Sequence, residues 1–361
     1  MANGYFTGKF EQTGAADYTP KPGNSTTEAT AYGAVRYFPV QQTKPNLGAD
    51  PMERDDELRN ADQALLEITD TFDPTWEYSS RAYPDILGWH LANLFGRDTT
   101  SGYAVLAGAA ATDLDGTTAL ATGQYAHTWT APFGPTGAIP QTSRLVWAYK
   151  DQSTFYEMRG CATESLELDT PDKGGVQIKA GGPGTFIDSI ADPSLTPSYE
   201  SPSIRPFVHA NLAVTQSGSS APSSSGVNSG FTVNISNPVT AVRTLGASSQ
   251  YPDRMEKDEG PFMVTGSISK RNLTADDWKA MRDLNLFTIT AKWAGSQFLT
   301  GTTGAKYGLS MTIQAQLVGG DIDDLDNKRR HGSSFNWKAV YDGSTTSCVV
   351  KLVNTTATYR A

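Results

Sequence analysis

Apolar and polar residues alternate with a period of two along most of this chain. In the segment LSMTIQAQL, residues 309–317, the apolar side chains fall on one face of an extended strand and the Ser, Thr and Gln side chains fall on the other. The same alternation occurs at 144–150, 165–169, 176–179, 231–236, 287–293 and 335–341. Strands with one dry and one wet face are typical of antiparallel sheets. The pattern therefore predicts a mainly β, antiparallel protein.

Two stretches have helical periodicity instead. The first is AYPDILGWHLANLFG, residues 82–96, where Pro84 suits the first helical turn and Gly96 suits the C-terminal stop. The apolar face of this helix, predicted over about 84–95, consists of Ile86, Leu87, Leu91, Leu94 and Phe95. We expect the helix to dock on a sheet through Ile86, Leu87, Leu91 and Leu94.

The second helical stretch is NLTADDWKAMRDLN, residues 272–285, with a helix predicted over about 274–284. Thr274 and Asp277 have the spacing of a capping box, and Leu273 and Trp278 have that of a hydrophobic staple. Trp278, Met281 and Leu284 form an apolar stripe at helical spacing. Because a helix of roughly ten residues is marginal alone in water, we expect this stripe and Leu273 to dock on the sheet.

The surroundings of the two helices follow one plan. A strand precedes each helix, at 75–81 and 262–270. Further upstream, each half has a strand, a long turn-rich segment and another strand; the turn-rich segments are 41–61 and 216–229. This order predicts an N-terminal arm at 1–30 and two tandem β domains at 31–200 and 201–361, although residue identity between the halves is slight.

The two turn-rich segments are long enough to carry a function. Loops above about 12–15 residues are usually functional or disordered. Their matching places indicate a shared purpose, and flexible surface loops are the plainer alternative. We expect both segments to be mobile in the free subunit.

Composition excludes several classes of protein. The net charge is −9, and the densest cationic run is NKRRHG at 327–332. The sequence therefore predicts no basic patch that binds nucleic acid. Two cysteines, Cys161 and Cys348, imply no disulfide framework, and we expect both to stay reduced. The longest apolar run, 103–111, is too short to span a bilayer, and the N-terminus lacks the features of a signal peptide. These features favour folding in a cytoplasm without a membrane.

Candidate metal and catalytic sites are weak. The histidines are scattered without metal-ligand spacing: His90, His127, His209 and His331. The acidic segment DIDDLDN, 321–327, is the best candidate for a divalent cation, but Leu325 stands where an EF-type loop needs an oxygen ligand. A solvated acidic loop is the preferred interpretation there and at TDLDG, 112–116.

Nucleotide and catalytic motifs are missing as well. The glycines of KAGGPGTF, 179–186, have the composition of an anion-binding nest but lack the following helix and Lys of a phosphate loop. No nucleophile elbow, zinc-protease or P-loop motif occurs. The sequence therefore predicts a protein that is not an enzyme, with no catalytic, cofactor or metal site.

Three segments resemble the major tail proteins, or tail tube proteins, of long-tailed bacteriophages. They are RAYPDILGWHLANLFG at 81–96, the stretch 152–186 and VTGSISKRNLTADDWKAM at 264–281. In the middle segment an aromatic strand leads into Gly160 and Cys161, followed by a Leu-alternating strand and GGVQIKA. The resemblance extends in order over most of residues 60–354.

The resemblance implies a tail-tube β-sandwich or barrel with a flanking short helix. It also implies rings that stack into the tail tube of the virion, assembled in the host cytoplasm around a tape-measure protein. Tail-terminator and tail-tip proteins would be further partners. Double-stranded DNA would pass through the lumen without specific binding, as the weakly acidic composition suits.

The same resemblance gives the long segments a role and the ring a stoichiometry. The candidate contacts between rings are Pro45, Asp50, Arg54, Ser219, Ser224 and Asn228. Rings of the family are sixfold, so tandem domains favour a trimeric, pseudo-sixfold ring, and a single enlarged domain would require a hexamer. The alternative function is a β-rich receptor- or carbohydrate-binding module of a virion or adhesin, for which the many aromatic residues would provide sugar-stacking surfaces.

Overall fold

The structure is a computed structural model. It describes residues 5–10, 36–52, 68–96, 103–132, 142–148, 155–190, 204–218, 221, 228–243, 250–252, 254–258, 260–270, 275–284, 286–301, 303–322, 333–344, 346–357 and 359.

Twenty-two strands and two α-helices make up the regular structure of the described residues. The strands before residue 150 are β1 Tyr5–Phe10, β2 Arg36–Phe38, β3 Gln42–Asn46, β4 Ala49–Met52, β5 Ile68–Phe72, β6 Thr75–Arg81, β7 Tyr103–Ala107, β8 Tyr125–Thr130 and β9 Thr142–Ala148. Those that follow are β10 Phe155–Ala162, β11 Ser165–Thr170, β12 Gln177–Pro183, β13 Phe186–Ile190, β14 Leu212–Ser217, β15 Asn228–Ser236 and β16 Val239–Val242. The last are β17 Arg254–Lys257, β18 Met263–Lys270, β19 Leu286–Phe298, β20 Lys306–Ile322, β21 Ser333–Ala339 and β22 Cys348–Asn354.

The helices are α1, Pro84–Phe95, and α2, Ala275–Asp283, with short 3-10 turns at Gly108–Ala110 and His209–Asn211. Every strand pairing is antiparallel. The prediction of a mainly β, antiparallel fold with helix near 84–95 and 274–284 is confirmed. No helix in the described part of the chain has the length and hydrophobicity needed to cross a membrane.

Thirteen strands form one large sheet in the order β3-β6-β12-β11-β15-β18-β21-β20-β22-β8-β7, with β19 also paired to β20 and β14 paired to β19. A second sheet has five strands in the order β13-β10-β9-β1-β2. The hairpins β4–β5 and β16–β17 are separate two-stranded sheets. Apolar residues of both large sheets belong to one core cluster, so their dry faces share a single interior.

Helix α1 lies inside this core. All of its residues are buried, and Ile86, Leu87, Leu91 and Leu94 are at most 1% exposed. It lies close to strands β8, β11, β20 and β22 of the large sheet. The sequence predicted one apolar face, but the surrounding strands enclose the helix on all sides.

Helix α2 is joined to the large sheet by a buried ion pair that the sequence did not predict. The carboxylate of Asp277 accepts a hydrogen bond from Nζ of Lys270 on β18 at 2.7 Å, and both side chains are fully buried. Leu284 follows the helix with a positive φ of 50° and is 49% exposed, so it does not lie on a docking face. Leu273, Thr274 and the side chains of Trp278 and Met281 fall outside what the structure describes.

The predicted loop over 41–61 is wrong for the part that is described. Pro45 lies in β3 opposite Trp76, and Asp50 lies in β4 opposite Thr71. The predicted loop over 216–229 is also wrong at its described ends, because Gln216 and Ser217 belong to β14 and Asn228 is the first residue of β15. Arg54, Ser219 and Ser224 are not among the described residues. The alternation of apolar and polar residues does not reveal β3 and β4, because their sequences QTKPN and ADPM contain few apolar residues. Backbone hydrogen bonds to β6 and β5 hold these two strands in place.

Four strands in the order β3-β6-β12-β11 are followed in the large sheet by four in the order β15-β18-β21-β20. We call these sets unit one and unit two. In each unit the first two strands are connected through a two-stranded hairpin, β4–β5 or β16–β17, and an α-helix follows the second strand. The N–H of Asp73 donates to the carbonyl of Gly48 at 2.8 Å, and the N–H of Asp258 donates to that of Pro238 at 3.1 Å, at matching places. The units share one sheet. At the end of this sheet beyond unit two, β22 pairs with β8 and β8 pairs with β7.

Candidate functional site: the polar face of the large sheet

The acidic segments do not form a metal site in the described residues, where no group of three or more potential ligands occurs. In segment 112–116, Oδ1 of Asp113 accepts hydrogen bonds from the backbone N–H groups of Thr117 and Thr118. Asp115 pairs with Lys292 at 3.2 Å. Asp113 therefore stabilises a turn, and Asp115 forms an exposed ion pair with β19. Of segment 321–327, the structure describes only Asp321 and Ile322, at the end of β20.

The glycine segment 179–186 serves strand packing. Its first residues belong to β12 and its last to β13. A Cβ added at Gly182 would lie 2.3 Å from the carbonyl oxygen of Ala162, which is too close for any side chain. Glycine is present there because two backbones approach closely.

The described histidines have separate structural roles. Nδ1 of His127 lies 2.8 Å from the hydroxyl of Tyr103, and its Nε2 lies 2.9 Å from the carbonyl of Thr356. His209 contacts the backbone of Gly174 at 3.1 Å. His90, on α1, is fully buried among the rings of Phe38, Trp76, Tyr78 and Trp89. Both ring nitrogens of His90 lack a hydrogen-bond partner in the structure as described.

Burial of His90 should make the protein sensitive to acid. Desolvation lowers its pKa from 6.5 to about 3, so the unfolded chain binds a proton that the folded chain does not. The stability that this group contributes is complete above pH 6.5 and is lost as the pH falls towards 3. We expect the free energy of unfolding of His90→Phe to fall less steeply with decreasing pH in that window, by up to about 1.4 kcal/mol per pH unit. Urea unfolding of the unmodified protein and of His90→Phe at several pH values in the window measures this difference. Identical pH profiles of the two proteins would contradict the role given to His90.

The wet face of the large sheet carries a continuous row of polar side chains. The row crosses eight neighbouring strands, one residue from each, in direct cross-strand register. Its members are Gln42, Ser79, Lys179, Glu167, Asn234, Thr265, Lys338 and Gln316. We call it the polar row.

Side chains of both signs lie near the polar row. On the wet face of the same eight strands, the described cationic side chains are Lys44, Arg81, Lys179, Lys306 and Lys338, and the anionic ones are Glu77, Glu167 and Asp169. Lys306 is the most distant of them from the row, ten residues along β20 from Gln316. Lys179 and Glu167 lie 3.7 Å apart and are largely exposed, so solvent screens the pair and it contributes little stability. The remaining groups are mostly hydroxyls and amides.

A shallow depression of about 420 Å³ lies on this face over strands β3, β6, β12, β11 and β15. Lys44, Glu77, Glu167 and Lys179 supply charges of both signs to its lining. Cations and carboxylates therefore lie side by side on this face.

Comparison with protein families decides what kind of molecule carries this face. The chain matches the family model of the phage tail tube protein over residues 19–339. It belongs to the phage tail tube protein family. The resemblance seen in the sequence is therefore confirmed. No protein in the curated set matches the chain.

Family membership gives this tail tube protein a structural role in the virion tail and implies self-assembly into a tube. The family is one of structural proteins, in keeping with the separate roles of the acidic segments, glycines and histidines described above. The sequence shows the polar residues of the row through their alternation. It does not show their alignment across eight strands, because strand register depends on residues far apart in the chain.

Proposed function

We propose that the chain polymerises into stacked rings that form the tail tube, and that the polar face of the large sheet lines the channel through which DNA is ejected. The observation that carries this proposal is the polar row, which gives eight adjoining strands of the large sheet one hydrated face with charges of both signs. A channel for DNA needs such a surface, since net positive charge would retain the polyanion. The tape-measure, tail-terminator and tail-tip proteins are the partners that this role requires.

We further propose that each chain supplies two tube units and that three chains complete a pseudo-sixfold ring. The shared strand order of units one and two supports this stoichiometry, as do their matching hairpins and following helices. The polar row passes through both units without interruption. Two units in each of three chains would give the six units that the family's rings contain.

Cryo-electron microscopy of the purified chain tests both parts. We expect hollow tubes with three chains per ring and the polar row facing the lumen. Six equivalent chains per ring would refute the two-unit proposal, and tubes with the polar row on the outside would refute the channel surface. A protein that stays monomeric and binds glycans would support the carbohydrate-binding alternative. That alternative has little support, since Tyr341 is the single aromatic side chain among the strongly exposed apolar residues described.

A further inference from the structure

The segment that follows β22 closes the interior of the protein at the start of helix α1. Thr355, Thr356, Ala357 and Tyr359 belong to no strand or helix, and Ala357 is exposed. Tyr359 is nevertheless 0% exposed, as buried as any residue of the core. We call residues 355–357 and 359 the latch. Its tyrosine is held in the interior by contacts other than those of a sheet or a helix.

The ring of Tyr359 lies in a slot that one glycine opens. A Cβ added at Gly88, in the middle of α1, would lie 2.2 Å from Cζ of Tyr359 and would overlap the ring. The ring centroids of His127 and Trp129, on β8, lie 4.8 Å and 6.0 Å from that of Tyr359. Glycine inside a helix costs stability relative to alanine. The aromatic ring that lies against Gly88 explains why a glycine occupies this position.

The slot also provides partners for the phenol hydroxyl. The hydroxyl of Tyr359 donates to the backbone carbonyl of Asp85 at 2.7 Å and accepts from Nδ2 of Asn354 at 2.7 Å. A buried hydroxyl without such partners would cost free energy. Ring-lined walls with one donor and one acceptor at the end of the slot are therefore selective for a phenol over a plain benzene ring.

Side chains from distant parts of the chain hold the backbone of the latch. Nε2 of His127 lies 2.9 Å from the carbonyl oxygen of Thr356, and Nδ1 lies 2.8 Å from the hydroxyl of Tyr103. Because a carbonyl can only accept, we assign the proton of the neutral imidazole to Nε2, and Nδ1 accepts from Tyr103. The hydroxyl of Thr356 donates to Oδ1 of Asp85 at 3.1 Å. These bonds anchor the latch at Thr356, ahead of the buried ring.

From this geometry we propose that the slot beside Gly88 is a binding site for a phenol, filled here by Tyr359, and that the latch opens and closes while the rest of the chain stays folded. Of the described latch residues, only Thr356 and Tyr359 are buried. Segments with few buried residues open locally, at a lower free energy than global unfolding. The site belongs to the single chain and exists whether or not the chain forms tubes.

Binding of p-cresol, which reproduces the tyrosine side chain, tests the site. We expect folded Tyr359→Gly to bind p-cresol in isothermal titration calorimetry and to unfold at a higher temperature as the p-cresol concentration rises. The unmodified chain should show neither effect, because its own tyrosine fills the slot. Toluene should bind Tyr359→Gly about tenfold more weakly, since it lacks the hydroxyl that bonds Asp85 and Asn354. Absence of p-cresol binding by the folded variant would refute the site, and equal affinity for toluene would refute its selectivity.

The variant Gly88→Ala gives a test with opposite expected signs in two backgrounds. In the unmodified chain the added methyl group overlaps the ring of Tyr359, so it should expel the latch and lower the unfolding temperature. In Tyr359→Gly the same change should raise the unfolding temperature, because alanine is the better helix former and fills part of the slot. It should also weaken p-cresol binding there. Equal losses in both backgrounds would show that α1 itself needs the glycine, and the slot would be wrong.

Hydrogen exchange under native conditions tests whether the latch opens by itself. The amide of Thr356 donates to Oδ1 of Asn354 at 3.0 Å, so its exchange reports opening of the latch. We expect this amide to exchange faster than those of β22, which pairs with a strand on each edge, and with little dependence on urea. The same rate and the same urea dependence for Thr356 and β22 would mean that the latch opens only in global unfolding, contrary to the proposal.

Discussion

Replacement of Lys270 by Met should lower the free energy of unfolding by about 3–5 kcal/mol, the cost of breaking a buried ion pair by removing one partner. Nζ of Lys270 lies 2.7 Å from Oδ1 of Asp277, and neither side chain is exposed. The ammonium also lies 5.7 Å from the centroid of the Phe335 ring. Without the lysine, the carboxylate of Asp277 stays buried and loses the ammonium group that lies 2.7 Å from it. Helix α2 then loses its ionic link to β18.

Urea unfolding of monomeric protein measures this loss. The double variant Lys270→Met, Asp277→Leu should recover most of it, because an apolar pair in place of a buried ion pair is often neutral or stabilising. Lys292→Met is the matched control. Its ion pair with Asp115 spans 3.2 Å but is exposed, so the change should stay within about 1 kcal/mol. Equal effects of the two single Lys variants would contradict the role given to the buried pair.

Trp293→Ala should cost about 3–5 kcal/mol, the range for removing a fully buried large aromatic side chain. Trp293 lies on β19 and is 0% exposed. Its Nε1 donates a hydrogen bond to Oγ1 of Thr170 on β11 at 3.1 Å, and its ring centroid lies 5.8 Å from that of Phe231 on β15. One side chain therefore contacts β11 and β15, the paired strands at which the two units meet, and its loss should loosen the attachment of unit one to unit two.

Two further variants separate packing from hydrogen bonding at this site. Trp293→Phe keeps much of the ring and loses the donor, so it should cost about 1–3 kcal/mol. Thr170→Val removes the acceptor at similar volume and should cost an amount in the same range. Chemical unfolding monitored by fluorescence of the remaining tryptophans compares all three. If Trp293→Ala were no worse than Trp293→Phe, packing where the two units meet would not be the dominant contribution.

The β class and both helices could be predicted from the sequence because these depend on local periodicity. Alternation at 309–317 and 287–293 corresponds to parts of β20 and β19, and the helical stretches correspond to α1 and α2 within one or two residues. The family could also be recognised from motif order, since the matching segments are continuous in the chain. The clearest mismatch of local prediction falls at β3 and β4, whose residues have little apolar pattern of their own.

Only the tertiary structure decided which distant residues meet. Asp277 has the spacing of a capping box, but nothing in that spacing indicates that its carboxylate binds Lys270 on the preceding strand. Leu284 continues the apolar stripe in sequence, but the helix ends before it and leaves it half exposed. The polar row follows from strand order and register, which backbone hydrogen bonds between distant segments establish. The sequence by itself thus determined the elements and the family, while the pairing of its strands decided the surface that this protein presents.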